Sequence, residues 1–232
     1  MSIHKDHRQR LRDRFLKEGL DNFDELYVLE LLLFYCIPRV DTNPIAHRLL
    51  DHFGSLTNVL NATAEELEKV EGIGKNTSTF LSLITQVGRY YQIRQAEPGK
   101  ILKSIDKCGE YLVPYFFGRE QETVFMLCLD AKCKVLSCKM VGEGSVNSAN
   151  IPIRRLVEMA LAAKATTVVL AHNHPSGLAI PSADDIQTTQ RIAAALETVE
   201  IILADHIVVS NDEFVSMAQS NYYRPQDICA IH

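Results

Sequence analysis

The segment AHNHPSGLAIPSADD, at residues 171–185, restricts the possible fold of this chain more than any other segment. It follows the apolar run TTVVLA (166–171), which has the length and β-branched content of a buried strand. Two prolines and a glycine then require a tight loop. The amphipathic run at 182–199 predicts a helix directly after that loop. The sequence therefore predicts a strand, a turn and a helix in immediate succession.

A candidate metal site lies in this segment. His172 and His174 are two positions apart at the end of the predicted strand, and a repeat of two directs both imidazoles to the same side. Asp185 falls in the first turn of the following helix. Two imidazoles and one carboxylate suit Zn²⁺, and three protein ligands leave a fourth position for water, as in catalytic zinc sites. The spacing therefore predicts a zinc site of the catalytic type.

The same residues have a simpler interpretation. Ser182-x-x-Asp185 matches a helix capping pattern, and a carboxylate in a first turn is favoured by the helix dipole. The run HNHPSG could then be only a polar turn. Replacing Ser182 would remove a cap at a modest cost in stability, whereas replacing Asp185 would release a metal ion. The residues alone leave both interpretations open.

The rest of the chain divides into two predicted domains. Residues 5 to about 92 show helical patterns, and the stretch QAEPGK (95–100) interrupts them. We therefore predict a helical, helix-hairpin-helix-like domain at 1–97, a linker at 98–103 and a second domain at 104–232.

In the second predicted domain the apolar residues follow patterns typical of strands. TVFMLCLD (123–130) and KVLSCKMV (134–141) predict a β-hairpin, and a helix follows near residue 153. The run IILADHIVVS (201–210) predicts a further strand. Strands that alternate with helices after an opening hairpin indicate a layered α/β or α+β domain.

A candidate DNA contact lies in the helical domain. The run LEKVEGIGKNTSTFLSLI (67–84) resembles a helix-hairpin-helix motif, with Gly72 and Gly74 in the turn and Lys75 after it. Glycines let the backbone approach closely, and free N–H groups at a helix start can bind a phosphate. Such contacts would hold DNA without reading its sequence. The alternative is a helix–helix turn that only packs.

Composition limits the partners and the compartment. The net charge of -5 gives no general case for nucleic acid, so any DNA contact must be local. The arginines at 8, 10, 12 and 14 could extend such a contact, although a charge run is more often a solvated face. No apolar run approaches the roughly 20 residues that a membrane span needs. Six cysteines without a CxxC pair indicate reduced thiols in a cytoplasmic protein.

Several spaced motifs together resemble a known family. HNHPSG with PSADD gives H-x-H-x7-S-x-x-D, which resembles the JAMM motif of the JAB/MPN metallo-isopeptidase superfamily. LDAKCKVL (129–136) and DHIVV (205–209) resemble the bacterial RadC family in particular. The resemblance covers residues from about 104 to 220. It implies an MPN/JAB-like α+β domain with a mixed sheet flanked by helices.

The resemblance also implies roles for individual residues. In JAMM enzymes the matching positions bind Zn²⁺, which assigns His172, His174 and Asp185 as metal ligands. The motif serine matches Ser182, whose hydroxyl would help to hold a developing oxyanion.

A glutamate on an early strand is the general base of this superfamily. Glu122, at the head of the first predicted strand, is the best match. Glu143 is the other candidate, in a position where RadC sequences usually read Gly-Thr, so the chain departs from the family pattern there. Glu120 is better interpreted as an exposed edge charge. A base must reach the reacting water, which sequence does not show.

Asp205 and His206 form a polar pair in the last predicted strand. The pair could orient a metal ligand through a hydrogen bond. A histidine beside an apolar run is more often a structural residue, and we favour that interpretation.

The functional prediction is a zinc-dependent hydrolase of peptide or isopeptide amides, with a peptide or protein as its substrate. The alternatives are a non-catalytic DNA-repair accessory protein with a structural or vestigial metal site, and a metal-dependent nuclease. The absence of HExxH and of the nucleobase-deaminase motif argues against those two zinc chemistries.

Overall fold

The computed structural model describes residues 3–95, 99–144, 152–175, 177–211 and 213–225. The chain forms two compact units, Met1–Gly88 and Arg89–His232. Residue 98 of the predicted linker, and residues 96 and 97 before it, lie outside the described residues. Within the described part of the chain, we find no helix with the length and apolar character of a membrane span.

The first unit is helical, as predicted. Its helices, the last of which continues into the second unit, are α1 (Ile3–Glu18), α2 (Glu25–Cys36), α3 (Asn43–Phe53), α4 (Leu56–Asn61), α5 (Ala64–Leu67) and α6 (Lys75–Gln95). Asp24 caps α2 by accepting a hydrogen bond from the Tyr27 amide. Leu29 and Leu33 of α2 are completely buried, so this apolar helix forms the centre of the unit's core.

The second unit is built on a five-stranded mixed sheet. Its elements are α7 (Ile105–Leu112), a 3-10 helix (Val113–Phe116), β1 (Thr123–Leu129), β2 (Val135–Glu143), α8 (Ile153–Ala162), β3 (Thr167–Asn173), α9 (Ala183–Glu197), β4 (Ile202–Ser210) and β5 (Glu213–Ser216). The strand order is β2-β1-β3-β4-β5, and β3 and β4 are the parallel pair. Because parallel neighbours need a crossover, α9 connects them across one face. The predicted hairpin and α+β class are confirmed.

Two apolar layers cover the faces of this sheet. On one face, α8 and α9 bury their apolar sides against alternate residues of β3 such as Val168 and Leu170. On the other face, α7 and the 3-10 helix pack against Val169 and Ala171. The helix α7, which the sequence analysis did not predict, lies so close to β5 that a Cβ on Gly109 would stand 2.3 Å from the Phe214 ring.

Candidate metal centre

Four residues from three separate segments converge at one end of β3. Glu122, His172, His174 and Asp185 each offer a ligand atom, and these atoms all lie within 4.8 Å of one another. The two Nε2 atoms of His172 and His174 are 2.9 Å apart. The structure therefore brings together the three predicted ligands and one of the two candidate bases.

The sheet and the following helix position these side chains. His172 belongs to β3 and His174 follows its last residue. Because β1 runs antiparallel to β3 and pairs Val124 with His172, the start of β1 lies beside the end of β3. Glu122 directly precedes β1 and so reaches the histidines. Asp185 comes from the first turn of α9, directly after the loop.

The ring of His174 is held in one orientation. Its Nδ1 atom lies 2.9 Å from the carbonyl oxygen of Leu178. Since a carbonyl only accepts, Nδ1 carries the proton and Nε2 of the neutral ring keeps a lone pair. That lone pair faces the second imidazole and the carboxylates. A set of two imidazoles and two carboxylates has the donor chemistry that suits Zn²⁺.

Asp185 is both a cap and a member of the cluster. Its Oδ2 atom accepts hydrogen bonds from the Ser182 amide at 2.7 Å and from the Ser182 hydroxyl at 2.6 Å. Its own amide donates back to the Ser182 Oγ atom at 3.1 Å, which completes a capping box. The other oxygen, Oδ1, lies 3.5 Å from His172 Nε2. The two interpretations of Ser182-x-x-Asp185 are therefore compatible.

The predicted oxyanion role of Ser182 stays a prediction. In this structure its hydroxyl donates a hydrogen bond to the Asp185 carboxylate. The hydroxyl would have to turn away from Asp185 before it could donate to a substrate.

The two carboxylates of the cluster differ in acidity. Burial raises the pKa of Glu122; the imidazole of His172 opposes that change, and the charge of Asp185 adds to it. For Asp185, burial also favours the neutral form, but the interaction with His172 and the bonds from Ser182 outweigh it and hold the pKa well below its usual range. Glu122 is thus the more basic of the two carboxylates.

Glu143 has different partners. Its Oε1 atom forms an ion pair with Arg119 Nη1 at 2.5 Å and lies 3.5 Å from the Thr123 hydroxyl. It is not a member of the four-residue cluster. The choice of Glu122 as the base stays a prediction, and its position in the cluster supports it.

Asn173, which the sequence analysis overlooked, supports the segment that carries Glu122. Its Oδ1 accepts from the Thr123 amide at 2.8 Å. Its Nδ2 donates to the carbonyls of Arg119 at 3.3 Å and Gln121 at 3.2 Å. The sequence could have indicated this separate role, because side chains alternate along a strand and a residue between two ligands faces the other side of the sheet.

Asp205 and His206 face different surroundings. The His206 Nε2 atom lies 2.8 Å from Nδ1 of His172, so it touches a predicted ligand directly. Asp205 instead accepts from the Ser216 hydroxyl at 2.5 Å and from the Ala218 amide at 2.9 Å. Burial raises the pKa of Asp205 to about 6, although these hydrogen bonds oppose the change. The favoured structural interpretation describes Asp205, whereas His206 has the contact of an orienting residue.

The predicted DNA-contact residues lie in the first unit. Gly72 has a φ of +96°, and a Cβ there would meet the Ile45 side chain at 3.1 Å. Gly74 has open space around it, and its carbonyl accepts from the amide of Ser78 at 3.0 Å. Lys75 is exposed and begins α6. DNA binding by this turn stays a prediction.

Two of the N-terminal arginines act within their own unit. Arg8 donates to the Ile37 carbonyl at 2.7 Å, and Arg14 donates to the Asn22 carbonyl at 2.6 Å. The Arg14 guanidinium also stacks on Phe23 at 4.5 Å from the ring centre. Arg8 and Arg14 thus make contacts within the unit, whereas the sequence favoured a solvated face for the run.

The second unit defines a class of protein: a mixed α+β domain of the MPN/JAB type, with two histidines at the end of β3 and a carboxylate in the next helix. The sequence profile of the RadC-like JAB domain matches residues 102–222. The chain belongs to this family.

Curated relatives match nearly the whole chain. A UPF0758 protein of Fusobacterium nucleatum is 34% identical over 223 residues, which cover 92% of this chain and 95% of the relative. A UPF0758 protein of Ruegeria pomeroyi is 33% identical over 218 residues, covering 94% and 97%. One of Shewanella pealeana is 30% identical over 211 residues, covering 91% and 94%. The similarity therefore includes the helical first unit.

Proposed function

We propose that this protein is a zinc-dependent hydrolase that cleaves peptide or isopeptide amide bonds. The observation that carries the proposal is the convergence of two imidazoles and two carboxylates within 4.8 Å. His172, His174 and Asp185 would hold the zinc ion. When bound, zinc supplies a Lewis acid that polarises a carbonyl and lowers the pKa of water to about 7.

Glu122 would be the general base. Its carboxylate lies within the cluster and is half-buried, and its pKa is raised. A base whose pKa lies nearer to the working pH transfers protons more efficiently. Glu122 would take a proton from the attacking water and return it to the leaving amine. The Ser182 hydroxyl would turn away from Asp185 and donate a hydrogen bond to the developing oxyanion.

A groove beside the loop favours a peptide over a phosphodiester. This cavity of about 530 Å³ is lined by the loop after β3 and by the β4–β5 hairpin. The loop side includes Leu178 and Ile180, whose exposed fractions are 65% and 60%. The charged residue among the described lining residues is Glu213. An acidic and partly apolar lining repels a phosphate backbone and accepts apolar side chains of a peptide.

DNA association remains part of the proposal. The Gly72–Lys75 turn would hold the backbone of a duplex, which would fit a DNA-repair role. A non-catalytic accessory protein and a metal-dependent nuclease are the alternative functions. We also propose a cytoplasmic location, which the thiols of Cys36, Cys128 and Cys138, none of them in a disulfide, support.

Metal analysis and a substrate screen test the proposal. The purified chain should contain about one zinc ion, and His174→Ala should lose it. The zinc-loaded protein should cleave isopeptide-linked or peptide substrates and leave DNA and RNA intact. A protein that binds no zinc, or that cleaves nucleic acid and not amides, would overturn it.

Two matched variants test the base. Glu122→Gln should keep zinc and lose turnover, whereas Glu143→Gln should keep both, because Glu143 lies outside the cluster. The reverse pattern would move the base to Glu143. If zinc binds to the chain and no amide is cleaved, the accessory role replaces the hydrolase.

A further inference from the structure

A chain of buried hydrogen bonds connects two of the predicted metal ligands through residues outside the cluster. His172 Nδ1 lies 2.8 Å from His206 Nε2. The other nitrogen of His206, Nδ1, lies 2.6 Å from the Thr189 hydroxyl. That hydroxyl is also 2.6 Å from the backbone carbonyl of Asp185. The chain thus runs from one ligand to the backbone of another.

The direction of each bond follows from its last acceptor. A carbonyl oxygen only accepts, so the Thr189 hydroxyl donates its single proton in the hydrogen bond to the Asp185 carbonyl. The sulfur of Met217, 3.8 Å from the same hydroxyl, is a much weaker acceptor. Thr189 must therefore accept from His206, whose proton sits on Nδ1.

The same logic extends to His172. His206 is 1% exposed, and its ring nitrogens contact an imidazole and a hydroxyl rather than a carboxylate. A buried imidazolium without a carboxylate partner is costly, so the ring is neutral and its Nε2 accepts. His172 Nδ1 then donates, which leaves a bare lone pair on His172 Nε2.

We propose that Thr189 and His206 are positioning residues that fix the tautomer of His172, so that both motif histidines present unprotonated Nε2 atoms to the cluster. His174 reaches the same state by a separate route, through the Leu178 carbonyl. The proposal rests on the proposed zinc site, because the tautomer matters for a ligand of a metal ion. A fixed tautomer removes the need to reorganise the ring when the ion binds.

Nitrogen-15 NMR of the histidine side chains tests the tautomers directly. Spectra of the zinc-free protein should show His206 and His172 protonated at Nδ1. His206 protonated at Nε2 would overturn the proposal, whatever the variants do. This readout needs neither zinc nor turnover, so it is independent of the proposed hydrolase activity.

Variants of Thr189 test the consequence for binding. Thr189→Val removes the hydroxyl at nearly constant volume and should mix the tautomers of His206 and His172. Zinc affinity, measured by competition with a chelator, should fall about 10–100-fold. Thr189→Ser should restore both properties. Thr188→Val, which removes a buried threonine hydroxyl from the neighbouring position of α9, should change neither.

The outcomes separate the two proposals. Wild-type affinity and unchanged histidine spectra in Thr189→Val would overturn the positioning role and leave the zinc site intact. A wild-type chain that shows the expected tautomers and binds no zinc would overturn the proposed function instead. If Thr189→Val does not fold, Thr189→Ser and the wild-type spectra still decide the question.

Discussion

The Ser182 hydroxyl and the Asp185 carboxylate are 2.6 Å apart, so a helix cap and a metal-type cluster share one carboxylate. We expect Ser182→Ala to lower the free energy of unfolding by about 1 kcal/mol through loss of the cap. Loss of the oxyanion donor should also reduce kcat by about 10²–10³-fold. Urea denaturation and turnover by the zinc-loaded protein measure the two effects.

Ser104→Ala is the matched control. Ser104 caps α7 by accepting from the Lys107 amide, and it belongs to a different element. The control should lose a similar stability and keep kcat. If Ser182→Ala keeps wild-type kcat as well, Ser182 is a cap and not an oxyanion donor.

Asn173 supports the segment that carries Glu122, so replacing Asn173 should reduce catalysis although all three predicted zinc ligands remain. Asn173→Ala removes three hydrogen bonds to the segment 119–123. We expect a loss of about 1–3 kcal/mol in unfolding free energy, since buried backbone groups lose their partners. Turnover should fall more than zinc affinity, because Glu122 moves while the histidines stay. Turnover and zinc affinity that fall in equal proportion would contradict this role.

The contact between Gly109 and Phe214 predicts a stability change opposite to helix propensity. Alanine in place of a helical glycine normally stabilises by about 1 kcal/mol. Here the new Cβ would stand 2.3 Å from the Phe214 ring, and such overpacking typically costs about 1–3 kcal/mol. Gly109→Ala should therefore lower the midpoint of urea denaturation. Phe214→Leu should reduce that penalty in a double-mutant cycle, and strict additivity would refute the clash.

The raised pKa of Asp205 predicts a pH dependence of stability. The folded state holds this proton up to about pH 6, whereas an unfolded aspartate releases it near 3.8. Between these values the folded state binds more protons, so the free energy of unfolding falls as pH rises. The fall amounts to about 3 kcal/mol and ends above pH 6.

Asp205→Asn isolates this contribution. The variant lacks the titrating group, so its stability relative to the wild type should increase between pH 4 and pH 6 and then stay constant. Urea denaturation at several pH values measures the difference, in which the other titrating groups cancel. Parallel stability curves for the two proteins would contradict the raised pKa.

The predicted DNA contact is best tested at Gly74 and Lys75. Gly72→Ala would be strained by its φ of +96° and by Ile45, whereas a Cβ on Gly74 meets nothing within 4 Å. Gly74→Ala should therefore fold normally and weaken duplex binding, measured by fluorescence anisotropy. Lys75→Ala should reduce the salt slope of binding by about 1. Equal duplex affinity of the wild type, Gly74→Ala and Lys75→Ala would exclude this turn as the DNA contact.

Local patterns predicted most of the elements. Alternating and continuous apolar runs located β1, β2, β3 and β4 to within two residues, and the spacing of His172, His174 and Asp185 anticipated their proximity. The strand β5 was not predicted because its four residues give too short a pattern. The helix α7 has only eight residues and a glycine within them, which weakens its helical signal.

The contact between His206 and His172 could not be predicted from the local sequence pattern. The register of β3 and β4 shifts between the pairs Val168–Leu203 and Val169–Asp205. An irregularity of this kind exchanges the two faces for all following residues. A strict alternation along β4 therefore does not tell which of Asp205 and His206 faces the cluster, and the structure alone assigns it to His206.

The tripeptide His172-Asn173-His174 is sensitive to chain length as well as to residue identity. Its histidines face the side of Val168 and Leu170, and its asparagine faces the side of Val169. Deleting one residue within β3 would keep all three side chains and reverse the directions in which they point. Homologues should therefore show no insertions or deletions within β3.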